Sequence, residues 1–253
     1  MMDKLDIDRS APTLRPSAKV FGYNSWRSLA FLHWAVPVEA LRPLVPAEMA
    51  LDLFEGVAYV GIVPFAMKNV RRSWWPCIFA VNFLQTNLRT YVVCNNRPGV
   101  YFFSLEADSR LAVFGARTNF GLPYYYARMK MTQSGSEIDY FTQRAGSGPI
   151  HKVRYQIGEP LGPSQPGTLE HFLLERYLLF VKRGEQVFVG QVHHTPHPVQ
   201  KAHVLDVHDE LIAAAGLPVV SGPPEFAHYS AGVDVELFPL TNAFAPRFSG
   251  AVP

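Results

Sequence analysis

One strand with two unlike faces constrains this chain more than any other feature. Between Phe83 and Val92, apolar or threonine side chains alternate with polar ones, and the polar set comprises Gln85, Asn87, Arg89 and Tyr91. Successive side chains of a strand point to opposite faces, so the polar groups share one face. Such a row lines a cavity if the face is internal, and it faces solvent if the sheet is open. Periodicity alone favours the solvent-facing interpretation.

Strand signals also dominate the rest of the chain. About ten strands against three or four short helices favour an α+β, mainly β fold, built as a mixed antiparallel sheet or barrel. Strand 83–92 is expected to lie beside strand 100–105. Further hairpins are predicted from 51–54 with 57–67, 129–132 with 138–142, and 178–181 with 186–192. Helices are predicted over 38–45, 109–118, 168–177 and 206–215.

Length and composition favour a single domain. The chain has 253 residues, of which 48% are hydrophobic, enough for a sizeable core. Residues 1–17 are charged and contain prolines, so we expect a loose tail that is neither a signal peptide nor a membrane span. The proline- and glycine-rich stretch 158–167 is interpreted as a surface loop within one domain over 18–240. A C-terminal tail is expected over 241–253.

Charge and cysteine usage exclude several classes of partner. Lys and Arg number 23 against 21 Asp and Glu, a balance that does not favour nucleic acid. No membrane partner is predicted either. Only Cys77 and Cys94 are present, so neither a disulfide framework nor a four-cysteine zinc site is available. A reducing, cytoplasmic location is the expectation.

Histidines near the C-terminal third raise the question of a metal. His193, His194 and His197 are close in sequence, with His203 and His208 nearby. Neighbouring strand residues point to opposite faces, and the intervening prolines make the spacing irregular, unlike a helical His-x-x-x-His site. Dinucleotide and phosphate-loop motifs are absent from the sequence. We therefore predict neither a metal nor a cofactor.

Several motifs together resemble a known family. They are Trp26-Arg27, Phe31-Leu32-His33-Trp34, Leu41-Arg42-Pro43-Leu44-Val45-Pro46, Asn87-Leu88-Arg89-Thr90-Tyr91-Val92, Gly121-Leu122-Pro123-Tyr124, His194-Thr195-Pro196-His197-Pro198 and Tyr229-Ser230-Ala231-Gly232-Val233-Asp234-Val235. The chain resembles the YqjF-like family of uncharacterised bacterial proteins over nearly its whole length. In that family the fourth position of the histidine-proline motif is usually Trp, so His197 is a departure.

The YqjF-like family is similar to the acetoacetate decarboxylase-like superfamily, which implies a curved antiparallel sheet closing into a cone-like barrel over an internal pocket. Acetoacetate decarboxylase itself uses a lysine that forms a Schiff base and a second lysine that lowers the pKa of the first. An arginine and two glutamates surround the substrate. The resemblance places the arginine at Arg27, the glutamates at Tyr59 and Gln85, and the lysine pair at Tyr124 and Tyr125. A phenol cannot form an imine.

Three further charged residues, Arg89, Glu106 and Arg117, lie in or beside the predicted strands and helix of segment 83–126. Glu106 is interpreted either as the structural ion-pair partner of Arg89 or Arg117, or as part of a pocket. In the functional interpretation, Arg27 and Arg89 hold an anionic ligand, because guanidinium groups match carboxylates.

The expected function follows from the resemblance and the polar row. We expect a small anionic or carbonyl-bearing molecule to bind in a barrel pocket without a Schiff-base lysine. The alternative is a non-catalytic ligand-binding, regulatory or interaction module. Whether a reaction is catalysed, and the oligomeric state, are left open. The pocket candidates are Arg27, Tyr59, Gln85, Arg89, Glu106, Arg117 and Tyr124.

Overall fold

Strands make up most of the chain, as expected. The computed structural model describes residues 7–220 and 222–245. In these ranges the strands are β1 (Gly22–Val36), β2 (Ala50–Leu51), β3 (Ala58–Arg72), β4 (Val81–Cys94), β5 (Arg97–Ala107), β6 (Tyr124–Ser134), β7 (Glu137–Arg144), β8 (Ile150–Gly162), β9 (Leu178–Arg183), β10 (Gln186–His193), β11 (Val199–Asp209), β12 (Phe226–Leu237) and β13 (Thr241–Asn242). The α-helices are α1 (Val38–Leu41), α2 (Arg110–Phe120), α3 (Leu169–Leu174) and α4 (Leu211–Ala214).

The described strands form one curved sheet in the order β13-β10-β9-β5-β6-β7-β8-β11-β12-β1-β3-β4-β2. Two additional pairings, β4 with β5 and β10 with β12, connect distant members of this order. In the order given above, β5 and β4 are the first and last of nine consecutive neighbouring strands. Because β4 also pairs with β5, the sheet returns onto itself. An interior enclosed by strands is the consequence.

Most strand pairs are antiparallel, but the expected antiparallel sheet needs one correction. Strand β5 pairs in parallel with β6 and with β9. Parallel neighbours need a crossover connection, and α2 supplies it between β5 and β6. The predicted pairing of strand 83–92 with strand 100–105 is confirmed, because β4 and β5 are antiparallel with Asn87 opposite Leu105.

Two hydrophobic clusters lie on opposite faces of β1. Ala30 and Leu32 belong to one cluster, and Leu29 and Phe31 belong to the other. Both faces of the second half of this strand are therefore buried, which explains its nearly continuous apolar sequence from Leu29 to Val36. The second cluster, which includes Phe65 of β3, borders the interior described below.

Two local predictions were wrong because long-range pairing prevailed. Residues 50–51 pair with β4, whereas 54 and 57 form only an isolated bridge with each other. Residues 206–209 continue β11 against β8, so the predicted helix 206–215 is reduced to α4. The hydrogen bonds of a sheet ladder satisfy the backbone N–H and C=O groups of these segments. A short isolated helix, in contrast, is only marginally stable in water.

Other boundaries moved by a few residues. Helix α2 begins after Ser109, whose hydroxyl accepts from the Ala112 amide, and not after Asp108. The Asp108 carboxylate instead accepts from the Leu84 amide of β4. The expected loop 158–167 is strand up to Gly162. The hairpin of β6 and β7 and that of β9 and β10 are confirmed.

The stretches predicted as tails make contacts where the structure describes them. Arg9 and Arg15 pair with Asp52 and Glu236. Strand β13 pairs with β10. The remaining parts of the expected tails, residues 1–6 and 246–253, lie outside the described residues. Within the described ranges, the helices are all too short or too polar to span a membrane.

Candidate functional site

A cavity of about 120 Å³ lies in the interior between β1, β3, β4 and β5, and we call it the inner cavity. Its wall is mostly apolar. The polar side chains in the described wall are Asn24, Gln85, Asn87, Arg89, Tyr124, Arg176, Tyr177 and His197. None of these is a carboxylate or a lysine. The only charged groups in this wall are therefore guanidinium groups.

The polar row of β4 faces this cavity. Gln85, Asn87 and Arg89 all line it and are all buried. The alternation in the sequence thus marks an internal cavity and not an ordinary solvent-facing sheet. The opposite face of β4 is also buried, where Thr86 shares a hydrogen bond with Thr142 at 2.7 Å between hydroxyl oxygens.

Arg89 is a buried cation without a carboxylate partner among the residues that the structure describes. Its Nη2 donates to the Leu173 carbonyl at 3.1 Å, and its guanidinium carbon lies 5.7 Å from the centre of the Phe31 ring. Among the described residues, no Asp or Glu carboxylate oxygen lies within 4.0 Å of a guanidinium nitrogen of Arg89. Burying an unpaired charge is costly, so this position favours an anion beside it.

Arg176 differs from Arg89 because it has a carboxylate partner. Its Nη1 donates to Asp52 at 2.7 Å, and its Nε donates to the Phe172 carbonyl at 2.7 Å. Asp52 also accepts two bonds from Arg9. Burial lowers the pKa of Arg176, and Asp52 opposes that effect. This pair connects the end of α3 to the segment after β2 and supports the cavity wall.

Tyr124 and Gln85 form a hydrogen-bonded pair in the wall. The Tyr124 hydroxyl donates to Gln85 Oε1 at 2.9 Å. Burial raises the pKa of Tyr124, so the phenol stays protonated at neutral pH. Because the Tyr124 proton is directed at Gln85, the phenol oxygen can accept from a ligand hydroxyl, while the Gln85 amide nitrogen can donate to a ligand oxygen.

His197 is a cavity residue that the sequence analysis did not place in the pocket. Its ring stacks on Trp26 with an interplanar angle of 12°, and its Nδ1 lies 3.2 Å from Ser230 Oγ. Burial lowers the pKa of His197 well below its usual range, with His194 and Arg89 adding to the effect. The ring is therefore neutral. The departure from the family's usual Trp was the one signal that could have pointed to it.

The motifs noted in the sequence are matched by comparisons over most of the chain. A family model described as "Uncharacterized conserved protein", DUF2071, matches residues 23–234. Uncharacterized protein YqjF of Bacillus subtilis (strain 168) is 37% identical over 220 residues, which cover 86% of this chain and 90% of that protein. This chain belongs to the DUF2071 family.

Solved structures show what fold this DUF2071 protein has. The enduracididine biosynthesis enzyme MppR, complexed with pyruvate, gives a TM-score of 0.63 at 11% identity, covering 90% of this chain and 92% of that one. Acetoacetate decarboxylase from Legionella pneumophila gives 0.60 at 13% identity, covering 95% and 96%. The expected acetoacetate decarboxylase-like fold is confirmed. At these identities the likeness shows the fold alone.

Arg27, the arginine placed by the family resemblance, lies outside the inner cavity. Its Nη2 pairs with Asp234 at 2.5 Å, and its Nη1 donates to the Val233 carbonyl at 2.8 Å. The neighbouring Trp26 lines the cavity, so strand alternation turns Arg27 to the other face. The prediction that Arg27 and Arg89 converge on one ligand was therefore wrong.

Three other candidates also lie away from the inner cavity in the described structure. Tyr59 is buried on the same side of β3 as Val63 but four residues away, or about 13 Å along the strand. Glu106 is in an ion pair, as one interpretation predicted, but its partner is Arg144 at 2.5 Å. Arg117 donates from Nε to the Tyr124 carbonyl at 2.6 Å. Arg117 thus supports the backbone of a cavity residue.

Lysines and metal ligands are not gathered at this site. Every lysine in the described ranges is exposed or, for Lys182, half-buried and paired with Glu48. Tyr124 and Tyr125 occupy the positions that the resemblance assigned to the lysine pair. Among the described residues, no three His, Cys, Asp or Glu side chains are grouped to hold a metal ion.

A second cavity of about 340 Å³, which we call the outer cavity, adjoins the first. The two cavities share seven wall residues, namely Asn24, Met67, Leu122, Tyr124, Leu179, Val192 and Leu237. Helix α2 and the segment after β3 form much of the outer wall through Leu111, Gly115 and Trp75. The site therefore consists of a small, partly polar inner cavity and a larger, mostly apolar outer cavity.

Proposed function

We propose that this protein binds a small molecule bearing a carboxylate in the inner cavity, with Arg89 as the charge partner. The observation that carries this proposal is the buried Arg89 guanidinium, which lines the cavity without a carboxylate partner among the described residues. A ligand carboxylate would supply the missing negative charge. Guanidinium and carboxylate groups match in charge and in bidentate geometry.

Uncharged donors around Arg89 suit the remaining oxygens of such a ligand. Gln85, Asn87 and Tyr124 line the same cavity. The amide nitrogens of Gln85 and Asn87 can donate to a carbonyl or hydroxyl oxygen next to the carboxylate, and the Tyr124 oxygen can accept from a ligand hydroxyl. MppR, a structural neighbour of similar fold, is complexed with pyruvate, a small oxo acid. The volume of the inner cavity exceeds the roughly 10–15 Å³ needed for one water, so it accommodates several ligand atoms.

The same side chains restrict the chemistry of any reaction there. An imine requires an amine, and the described wall contains no lysine. His197 is neutral because burial lowers its pKa, so its ring can accept a hydrogen bond but is a weak base. Binding is therefore the function that these residues support best, and any reaction would be limited to acid–base chemistry on a bound carbonyl compound.

Replacing Arg89 tests the binding proposal. Arg89→Gln is expected to weaken pyruvate binding by about 2–5 kcal/mol, or at least about 30-fold in Kd, because a shielded charge pair is lost. Isothermal titration calorimetry measures the effect, and the melting temperature shows that the variant is folded.

Arg27→Gln is the matched control, since Arg27 is an arginine on β1, separated from β4 by β3, with its charge partner at the surface. It should leave pyruvate binding unchanged. Pyruvamide, which is neutral, should bind the unmodified protein much more weakly than pyruvate. Equal effects of the two substitutions, or equal binding of the acid and the amide, would contradict the proposal.

A trapping experiment tests the expected lack of an imine. Borohydride reduction in the presence of acetoacetate should leave the intact mass unchanged, because the described cavity wall has no amine to condense with the ketone. A Schiff-base acetoacetate decarboxylase treated in parallel provides the positive control. A reduced adduct of acetoacetate mapped to a lysine would show that an imine forms after all.

A further inference from the structure

The inner and outer cavities differ in chemistry as well as in size. Arg89 and the amides of Gln85 and Asn87 line only the inner cavity, whereas Phe83, Ala112 and Phe120 line only the outer cavity. Ligand pockets commonly occupy about 300–1,000 Å³. The inner cavity alone is below this range, and the outer cavity of about 340 Å³ is within it. A ligand confined to the inner cavity would use only the smaller part of the site.

We propose that the ligand is an amphipathic monocarboxylic acid, with its carboxylate at Arg89 and a hydrocarbon tail in the outer cavity. This inference rests on the proposed function and specifies its ligand class. Met67, Leu122 and Leu179 border both cavities, so the path of a tail from one cavity to the other would lie along apolar side chains. Apolar surface on both sides of this path favours a tail of methylene or aryl groups.

Exposed apolar side chains at the outer cavity support a hydrocarbon tail. Leu111 of α2 is 66% exposed and Trp75 is 38% exposed, and both line the outer cavity. Contiguous exposed apolar surface often marks a ligand groove. A tail lying against these two side chains would remove part of their surface from water.

Charge at the outer cavity is compatible with an acid and not with an amine. Arg71 and Arg72 line it, and the described wall contains no Asp or Glu. The guanidinium of Arg72 lies 4.0 Å from the centre of the Phe21 ring, which leaves it at the cavity wall. A positive rim attracts carboxylates and repels cationic amphiphiles.

A chain-length series tests the proposal directly. Calorimetry with acetate, butyrate, hexanoate and octanoate should show affinity rising about fourfold per added methylene, which corresponds to about 0.8 kcal/mol per buried CH2. Octanamide should bind far more weakly than octanoate. If the short acids bind through Arg89 but affinity does not rise with length, the tail proposal fails and the proposed function stands. If no acid binds, the proposed function itself fails.

Gly115 provides a substitution that blocks the outer cavity without crowding the fold. A Cβ placed there meets nothing within 4 Å, and Gly115 lines the outer cavity from the middle of α2. Gly115→Phe should raise the Kd of octanoate by about tenfold or more, since several methylenes lose their burial, and leave that of acetate unchanged. Gly115→Ala is the matched control and should leave both unchanged. An octanoate affinity insensitive to Gly115→Phe would overturn the placement of the tail.

Discussion

Asp52→Asn is expected to lower the free energy of unfolding by about 3–5 kcal/mol, because it leaves the Arg176 charge buried and unpaired. Asp52 and Arg176 are both buried and joined at 2.7 Å. The amide keeps the shape of the carboxylate but not its charge. Urea denaturation, analysed by linear extrapolation, measures the loss.

Two further variants separate this effect from a general loss of packing. Asp234→Asn also removes one carboxylate from an arginine pair, but its side chain is 77% exposed, so the cost should be within about 1 kcal/mol. Adding Arg176→Met to Asp52→Asn should restore much of the stability, because an apolar group of similar length replaces the unpaired charge. A double variant as unstable as Asp52→Asn alone would contradict the charge argument.

Acidification is expected to destabilise the protein below pH 6.5 through its buried histidines. Burial, with the Arg89 charge adding to it, lowers the pKa of His33 well below the usual histidine value of about 6.5, and His197 behaves likewise. Between the native and unfolded pKa values the unfolded state binds more protons, so stability falls as pH falls. While both rings stay neutral in the native state, the loss from pH 6.5 to about pH 5 is about 3 kcal/mol.

The local geometry explains why His33 resists protonation. The Tyr91 hydroxyl donates to the Leu173 carbonyl, so it accepts from His33 Nε2 at 2.8 Å. That assignment leaves Nδ1 without a proton, and Nδ1 is buried with no partner among the described atoms. A proton added there would have no acceptor. The Leu173 carbonyl also accepts from Arg89, so this network connects His33 to the binding site.

Urea unfolding at several pH values between about pH 5 and pH 7.5 tests the histidine argument. His33→Gln keeps a donor for Tyr91 and cannot be protonated, so it should reduce the pH slope below 6.5 by about 1.4 kcal/mol per pH unit. His208→Gln, at a histidine whose side chain is 59% exposed, should leave the slope unchanged. If both variants had the same slope as the unmodified protein, other groups would control the acid transition.

Local patterns by themselves determined which side chains share a strand face. The alternation in 83–92 placed Gln85, Asn87 and Arg89 together, and the structure has all three in one cavity wall. The pairing of β4 with β5, the two hairpins and the mainly β class also followed from short-range signals. These succeeded because strand alternation and turns depend on residues close in sequence.

Tertiary structure alone decided which faces became internal. Alternation separates Trp26 from Arg27, but only the pairing of β1 with β3 and β12 turns Trp26 to the cavity and Arg27 to Asp234. The Asp52–Arg176 pair joins residues 124 positions apart. Such contacts depend on how the curved sheet returns onto itself, and no local pattern carries that information. Arg89 was identified from its strand face, whereas its lack of a carboxylate partner in the described structure is a property of the assembled sheet.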